Sequence, residues 1–271
     1  MNKTVTSASN STVKLLAGLR ARKHRQESGL FLTEGARTAL EGLRSGAVPK
    51  ILAYSDAADP REVKTLGDAC LAMRGACLLV TEKILAKITR KDNPQPIVAA
   101  FARDIRALIS LRALDGRIFV ALDRVRDPGN LGAVIRTADA VDAAGLILVG
   151  DCCDPYSPES VRAAMGSLFN VPVFAAGEAE FVALAKSWPG SVVGASLSAK
   201  AHYRGVKYAA PVLAVLGSEH SGLSPAIEGA CALKVRIPIF GRPESLNLAV
   251  ASGILLYGIK ESIMTNSAGR P

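Results

Sequence analysis

The sequence predicts an α/β protein: an open parallel sheet in the C-terminal part and a smaller α/β unit before it. Strand and helix patterns alternate from "LFLTEG" at residue 30 almost to the end of the chain. Runs such as "LILVG" and "VLAVLG" are continuously apolar, as a parallel sheet covered on both faces requires. Glycine, proline and serine gather in loops behind three of the predicted strands, where open parallel sheets place their ligands.

Taken in order, residues 1–28 are polar and basic, and are expected to form a flexible arm with one short helix around "TVKLLAGLRARK". Residues 29–102 then read as strand 30–34, helix 36–45, strand "KILAYS", helix "PREVKTLGDACLAMR", strand "CLLVT", helix "EKILAKIT" and strand "PIVAAF". Residues 103–116 read as a linker. Residues 117–271 carry predicted strands at 118–122, 145–149, 171–174, 191–196, 212–217 and 234–238, with helices between most of them. Such alternation argues for right-handed crossovers.

Composition narrows the function classes. A hydrophobic content of 49% with 21% charged residues describes a folded chain. The start, "MNKTVTSASNST", has no apolar core behind it, and "GILLYGI" and "LILVG" are too short to span a bilayer, so a cytoplasmic protein is expected. The five cysteines show no CxxC spacing; neither disulfide staples nor a metal site are expected. The formal charge of +9 is unevenly placed: residues 1–113 hold 19 Lys+Arg against 10 Asp+Glu, while residues 114–271 hold 14 of each. The densest run is "RARKHR", which offers Arg20, Arg22, Lys23 and Arg25 to a polyanion such as a nucleic acid.

The first strand-end loop is "RDPGNLGAVIRTADA". It satisfies neither the G-x-G-x-x-G nor the G-x-x-x-x-G-K-[ST] spacing of nucleotide-phosphate loops. Pro128-Gly129 turns the chain, Asn130 is placed to cap a helix, and Leu131, Val134, Ile135 and Ala138 form its apolar face. Arg136 lies off that face and opposes the helix dipole; it pairs with a local carboxylate such as Asp139 or faces a substrate anion. In the second loop, "LGSEHSGLS", Gly217 ends a strand where backbone approaches something closely, followed by Glu219 and by His220, a solvated side chain or an acid/base group. The third, "IPIFGRPESLNLAVASG", ends a strand near Ile239 and opens a small-residue helix at Ser245-Leu246-Asn247, with Ser245 in a capping position.

In order and spacing, these three loops resemble the three motifs of the SpoU (TrmH-like) family of the SPOUT superfamily, RNA ribose 2′-O-methyltransferases that use S-adenosylmethionine. The resemblance covers residues 119–258. More loosely, "LRARKHRQESGLFLTEGARTALEGL" and "KDNPQPIVAAF" resemble a ribosomal-protein-like substrate-binding domain; Pro96 stands where relatives usually carry glycine. The resemblance implies that the C-terminal sheet is closed by a deep trefoil knot, an exception to ordinary topology rules. It places methyl-donor contacts on Gly217, Ile237 and Leu246. It places catalytic roles on Asn130, Arg136, Glu219, Ser245 and Asn247, and a homodimer with the site near the subunit interface. RNA contacts fall on the basic N-terminal part, and the domain layout favours ribosomal RNA over transfer RNA. An aromatic content of 5% argues against extensive base stacking. The rival readings are a non-catalytic RNA-binding protein of the same fold, and a nucleotide-binding dehydrogenase or Rossmann-type methyltransferase. The intact polar set disfavours the first, and the missing glycine pattern the second.

Overall fold

The computed structural model describes residues 3–111, 117–219 and 221–268. They form two compact units, residues 1–103 with 154–170, and residues 104–153 with 171–271.

The first unit holds β1 (Lys3–Val5), α1 (Ser11–Gly18), α2 (Arg22–Ser28), β2 (Leu30–Glu34), α3 (Ala36–Arg44), β3 (Ile51–Tyr54), α4 (Pro60–Ala72), β4 (Ala76–Val80), α5 (Glu82–Thr89) and β5 (Ile97–Ala102). Its sheet runs β1-β4-β3-β5-β2. β1, β4 and β3 are parallel, and β5 is antiparallel to both its neighbours.

The expected free arm is instead part of this unit. β1 adds to the sheet edge beside β4, and α1 packs on α5. Val5, Val13, Leu16 and Leu19 are buried with Leu85 and Ile88. Apolar residues at helical spacing within a charged stretch decided the outcome. The core also takes in residues 154–170, where Tyr156 and Phe169 meet Phe31 at ring-centroid distances of 4.6 and 5.7 Å.

The second unit begins inside the expected linker. β6 (Ile105–Ala107) pairs with a sheet strand, and Leu108 and Leu111 join the core; the rest of the linker, 112–116, lies outside the described residues. There follow β7 (Ile118–Asp123), α6 (Pro128–Ala140) and β8 (Gly145–Val149). The chain then enters the first unit for α7 (Pro158–Ala164) and returns at β9 (Val173–Ala176). α8 (Glu178–Lys186), β10 (Val192–Ala195), β11 (Ala201–His202), β12 (Val212–Leu216), α9 (Pro225–Ala230), β13 (Leu233–Arg236) and α10 (Leu248–Ala268) complete it. The methyltransferase part expected over 117–271 is therefore discontinuous.

The eight strands are parallel in the order β11-β13-β10-β12-β7-β8-β9-β6. Chain order reverses between β7 and β12, where such sheets open a crevice at their carboxyl ends. α10 packs against α6 and β12. Over Leu248–Thr265 it is long and apolar enough, by length and composition alone, to cross a membrane, with one third of that stretch buried. This corrects the expectation of no such stretch, which rested on "GILLYGI" alone: Leu248, Ala249, Val250 and Ala251 before it lengthen the run, and Ile263 and Met264 follow Lys260 and Glu261.

Candidate active site

Local chemistry positions the first loop differently from expectation. α6 starts at Pro128, and Asp127 caps it by accepting from the Asn130 backbone N–H at 2.6 Å. Asn130 thus sits inside the first turn with its side chain released from capping. That amide donates to Glu219 Oε1 at 2.8 Å and accepts from Asn247 Nδ2 at 2.9 Å. Leu131, Val134, Ile135 and Ala138 are buried as expected.

Gly217 explains the second loop. Ser218 and Gly222 exchange backbone hydrogen bonds at 3.1 and 3.0 Å, folding the loop back on itself. A Cβ on Gly217 would stand 2.0 Å from the carbonyl carbon of Gly222, so only glycine fits. His220 lies outside the described residues. The loop's far end is tied down by Asp123 at the end of β7. Its buried carboxylate accepts from the Ser224 N–H at 2.7 Å and pairs with Arg124 at 2.9 Å. Sequence reading missed Asp123 because a carboxylate ending an apolar run resembles any strand terminus.

In the third loop the cap is Asn247, not Ser245. Its Oδ1 accepts from the N–H groups of Ala249 and Val250 at 2.9 and 3.3 Å. This fixes the side chain whose amide reaches Asn130. Ser245 is exposed and lines a pocket of about 530 Å³, together with Gly217, Glu219, Ile237 and Leu246. The strand before it ends at Arg236 rather than near Ile239. Ile237 therefore belongs to an irregular segment whose backbone is not committed to the ladder.

Of the five candidate catalytic side chains, Asn130, Glu219 and Asn247 form one hydrogen-bonded chain, and Ser245 shares the pocket with Glu219. Arg136 is exposed on α6 and makes no hydrogen bond or ion pair with a described residue. The Asp139 pairing is not formed.

Cys153 comes near this chain of groups. Burial first, then Cys152 and Asp127, push its thiol up to about 12, which disfavours the thiolate. Cys70 and Cys231 are likewise raised to about 12, chiefly by burial.

Two of the proposed RNA contacts need correction. Arg25 is buried: its Nε and Nη2 reach Asp154 Oδ2 at 2.9 and 2.8 Å, and its Nη1 donates to the carbonyls of Leu19 and Arg20. Arg20 donates to the Thr89 carbonyl at 2.6 Å and lies 3.7 Å from Glu34. Both cations are spent on the fold. Arg22 and Lys23 remain exposed.

The pocket's character suits a cationic, nucleoside-bearing ligand. Its volume lies within the range of small-molecule sites, its walls combine backbone and aliphatic side chains with serine hydroxyls, and Glu219, Glu228 and Glu244 outnumber the one cation, Arg236.

Comparison with known proteins agrees with that geometry. Residues 117–257 match the SpoU rRNA Methylase family, and residues 10–99 match an MRM3-like substrate binding domain. The chain is 30% identical over 95% of its length to the 23S rRNA (guanosine(2553)-2′-O)-methyltransferase RlmP of Bacillus subtilis, covering 99% of that protein. It is also 30% identical to a 23S rRNA (uridine(2479)-2′-O)-methyltransferase of Streptomyces viridochromogenes, over 92% of this chain and 89% of that one. An AdoMet-bound rRNA methyltransferase from Sinorhizobium meliloti superposes with a TM-score of 0.89 at 39% identity, covering 96% of this chain and 97% of that one. The chain belongs to the SpoU rRNA methylase family.

Proposed function

We propose that this protein is an enzyme that transfers a methyl group from S-adenosylmethionine to a ribose 2′-hydroxyl of RNA, with ribosomal RNA as the substrate class. The observation that carries this reading is the joining of three distant loops through the hydrogen-bonded chain Glu219–Asn130–Asn247, whose Glu219 lines the pocket. The donor would be held by Gly217, Ile237 and Leu246, which line that pocket. When bound, it supplies an electrophilic methyl on a sulfonium centre.

The protein's own residues must align the hydroxyl and manage its proton. Asn130 is held from both sides, by Glu219 and Asn247, and so presents a fixed amide to the sugar. Ser245 adds a hydroxyl from the opposite loop. Arginine side chains keep their proton in proteins, so Arg136 acts as a cation: it binds the adjacent phosphate and stabilises the developing alkoxide. The hydroxyl proton leaves to water or a phosphate oxygen. Selectivity for RNA follows from the reacting group, which DNA lacks. A non-catalytic binding protein of the same fold has no observation in its favour.

The test is donor binding and turnover. Wild-type protein should bind S-adenosylmethionine in calorimetry and move labelled methyl onto unmodified 23S rRNA transcript. Gly217→Ala should abolish binding, because the loop must open to admit the new methyl. Binding of NAD instead of the methyl donor, or turnover on no RNA, would sink the reading.

Finer features follow from the family. The segment after β12 is expected to thread as a trefoil knot, consistent with the second and third loops lining one pocket, and a cytoplasmic location suits an RNA-modifying enzyme. The working form is a homodimer. Val250, Tyr257 and Met264 are exposed by 51, 51 and 62% and recur every seventh residue along α10, an apolar stripe suited to a two-fold contact with a second copy. Wild type should sediment as a dimer and Tyr257→Asp as a monomer. A monomeric wild type removes the assembly but not the chemistry.

A further inference from the structure

We propose that β11 and the turn after it form a second RNA-gripping surface, on the methyltransferase unit itself and beside the donor pocket. This rests on the RNA methylation reading above. Between Phe181 and Ser218 the chain contains no Asp or Glu, yet it carries Lys200, His202, Arg204 and Lys207. All four are exposed. The charge count hides them, because the C-terminal part is neutral as a whole.

Some exposed cations of this protein are neutralised locally, as Arg61 is by Asp59 at 2.9 Å, Lys64 by Asp68 at 2.5 Å and Arg126 by Asp151 at 2.6 Å; what sets this segment apart is that its cations cluster where no carboxylate stands in the chain. Lys200, Arg204 and Lys207 form no ion pair with a described residue. Strand register sets His202 beside Arg236 of β13, another exposed cation, which also lines the donor pocket. Ser198, two residues before Lys200, lines it too. The surface is therefore continuous with the pocket rim.

The turn is rigid. Gly205 N–H donates to the His202 carbonyl at 2.9 Å, and Arg204 N–H donates to His202 Nδ1 at 3.1 Å. The Tyr208 hydroxyl donates to the Tyr203 carbonyl. Tyr203 is buried against α10 at Gly258, where a Cβ would come within 2.7 Å of the ring. On that anchored ring lies the His202 imidazole, with centroids 4.9 Å apart and planes 20° from parallel. The Arg204 guanidinium sits 5.5 Å from the same ring's centroid. His202 thus offers an open aromatic face to a nucleobase, flanked by unpaired cations for phosphates.

The rival explanation is edge protection, since short basic edge strands prevent sheet-to-sheet association. It accounts for charge on β11, but not for Arg204 and Lys207 in the turn or for the stacked imidazole. A polyanion carrying flat bases accounts for all of them.

The test compares wild type with Lys200→Gln/Arg204→Gln/Lys207→Gln and with His202→Ala, all as full-length protein on unmodified 23S rRNA transcript. The triple variant should raise KM for RNA by about tenfold or more at low salt. It should make the log–log salt dependence shallower by about 2, at roughly 0.7 per lost single-strand contact. His202→Ala should weaken binding by about fivefold or more. Donor affinity and turnover at saturating RNA should stay at wild-type values. Triple-variant KM and salt slope within twofold of a functioning wild type overturn this inference alone. So does a loss seen only on assembled ribosomal particles, which would assign the surface to a protein partner. A wild type that methylates no RNA overturns the parent reading of function, and this one with it.

Discussion

Replacing Arg136 with alanine is expected to lower methyl transfer by about 10²–10³-fold at saturating donor, the loss typical of removing one electrostatic stabiliser of developing negative charge. Donor affinity should not change, since Arg136 is not among the pocket-lining residues. Stability should be nearly unchanged as well, because the side chain is exposed and has no ion-pair partner among the described residues. Arg136→Lys separates two roles. If the position binds phosphate and steadies the alkoxide as a cation, lysine should restore part of the rate, limited by the lost fork geometry, with no new inflection near neutral pH. If the position is the general base, the lysine variant's rate should climb as pH approaches the ordinary lysine range, about 10.4. That second profile would displace the electrostatic role. Single-turnover rates across pH on one transcript make the comparison.

How much of this was legible in the sequence depends on whether the deciding force was local. "IFVALD" and "VLAVLG" declared buried parallel strands because every residue must be apolar when both faces are covered, and they became β7 and β12. Gly217 announced a close backbone approach, and the structure supplies its cause in Gly222. The capping assignments failed within the right turns. "DPGN" and "SLN" each contain more than one side chain able to accept from a helix N-terminus, and composition cannot rank them. Asp127 and Asn247 won, freeing Asn130 for its bonds to Glu219 and Asn247 and Ser245 for the pocket. Charge was legible as a total but not as a placement. Arg25 counts toward a basic run and is buried, whereas Lys200, Arg204 and Lys207 vanish in a neutral half and are exposed. Nor could any pattern show that residues 154–170 leave one α/β unit to complete the core of the other, because the contacts that hold them are with chain far away in sequence, 129 residues in the case of Arg25 and Asp154.

Those distant contacts give the largest expected effect on stability. Asp154→Ala should cost about 3–5 kcal/mol, because it strands the Arg25 guanidinium in the interior without its counter-charge. The two side chains are only 3 and 4% exposed and 129 residues apart in sequence. Among the described residues Arg25 has no second carboxylate to turn to: its remaining donor bonds are to the Leu19 and Arg20 carbonyls. Asp154 does more than neutralise. Its other oxygen accepts from the Tyr156 N–H at 2.9 Å, setting the turn that sends Tyr156 onto Phe31 and beneath Arg103, 5.3 Å from the ring centroid. Losing the carboxylate should therefore loosen residues 154–170 as a block, with proteolytic nicking there before global unfolding. At this chain length the cost corresponds to a melting point lower by roughly 6–20 °C. Lys64→Ala is the matched control. It removes an ion pair whose side chains are 76 and 64% exposed, worth about 0–1 kcal/mol, so its melting point should move little. Arg25→Met/Asp154→Leu completes the comparison: replacing both charges of the pair should recover part of what either single change loses, with the remainder falling on Arg103, which lies 3.8 Å from Asp154 Oδ1 and loses that carboxylate in both variants. If Asp154→Ala melts within a degree or two of wild type, the pair is not what fastens this segment to its core, and the aromatic cluster around Phe31 must be doing so alone.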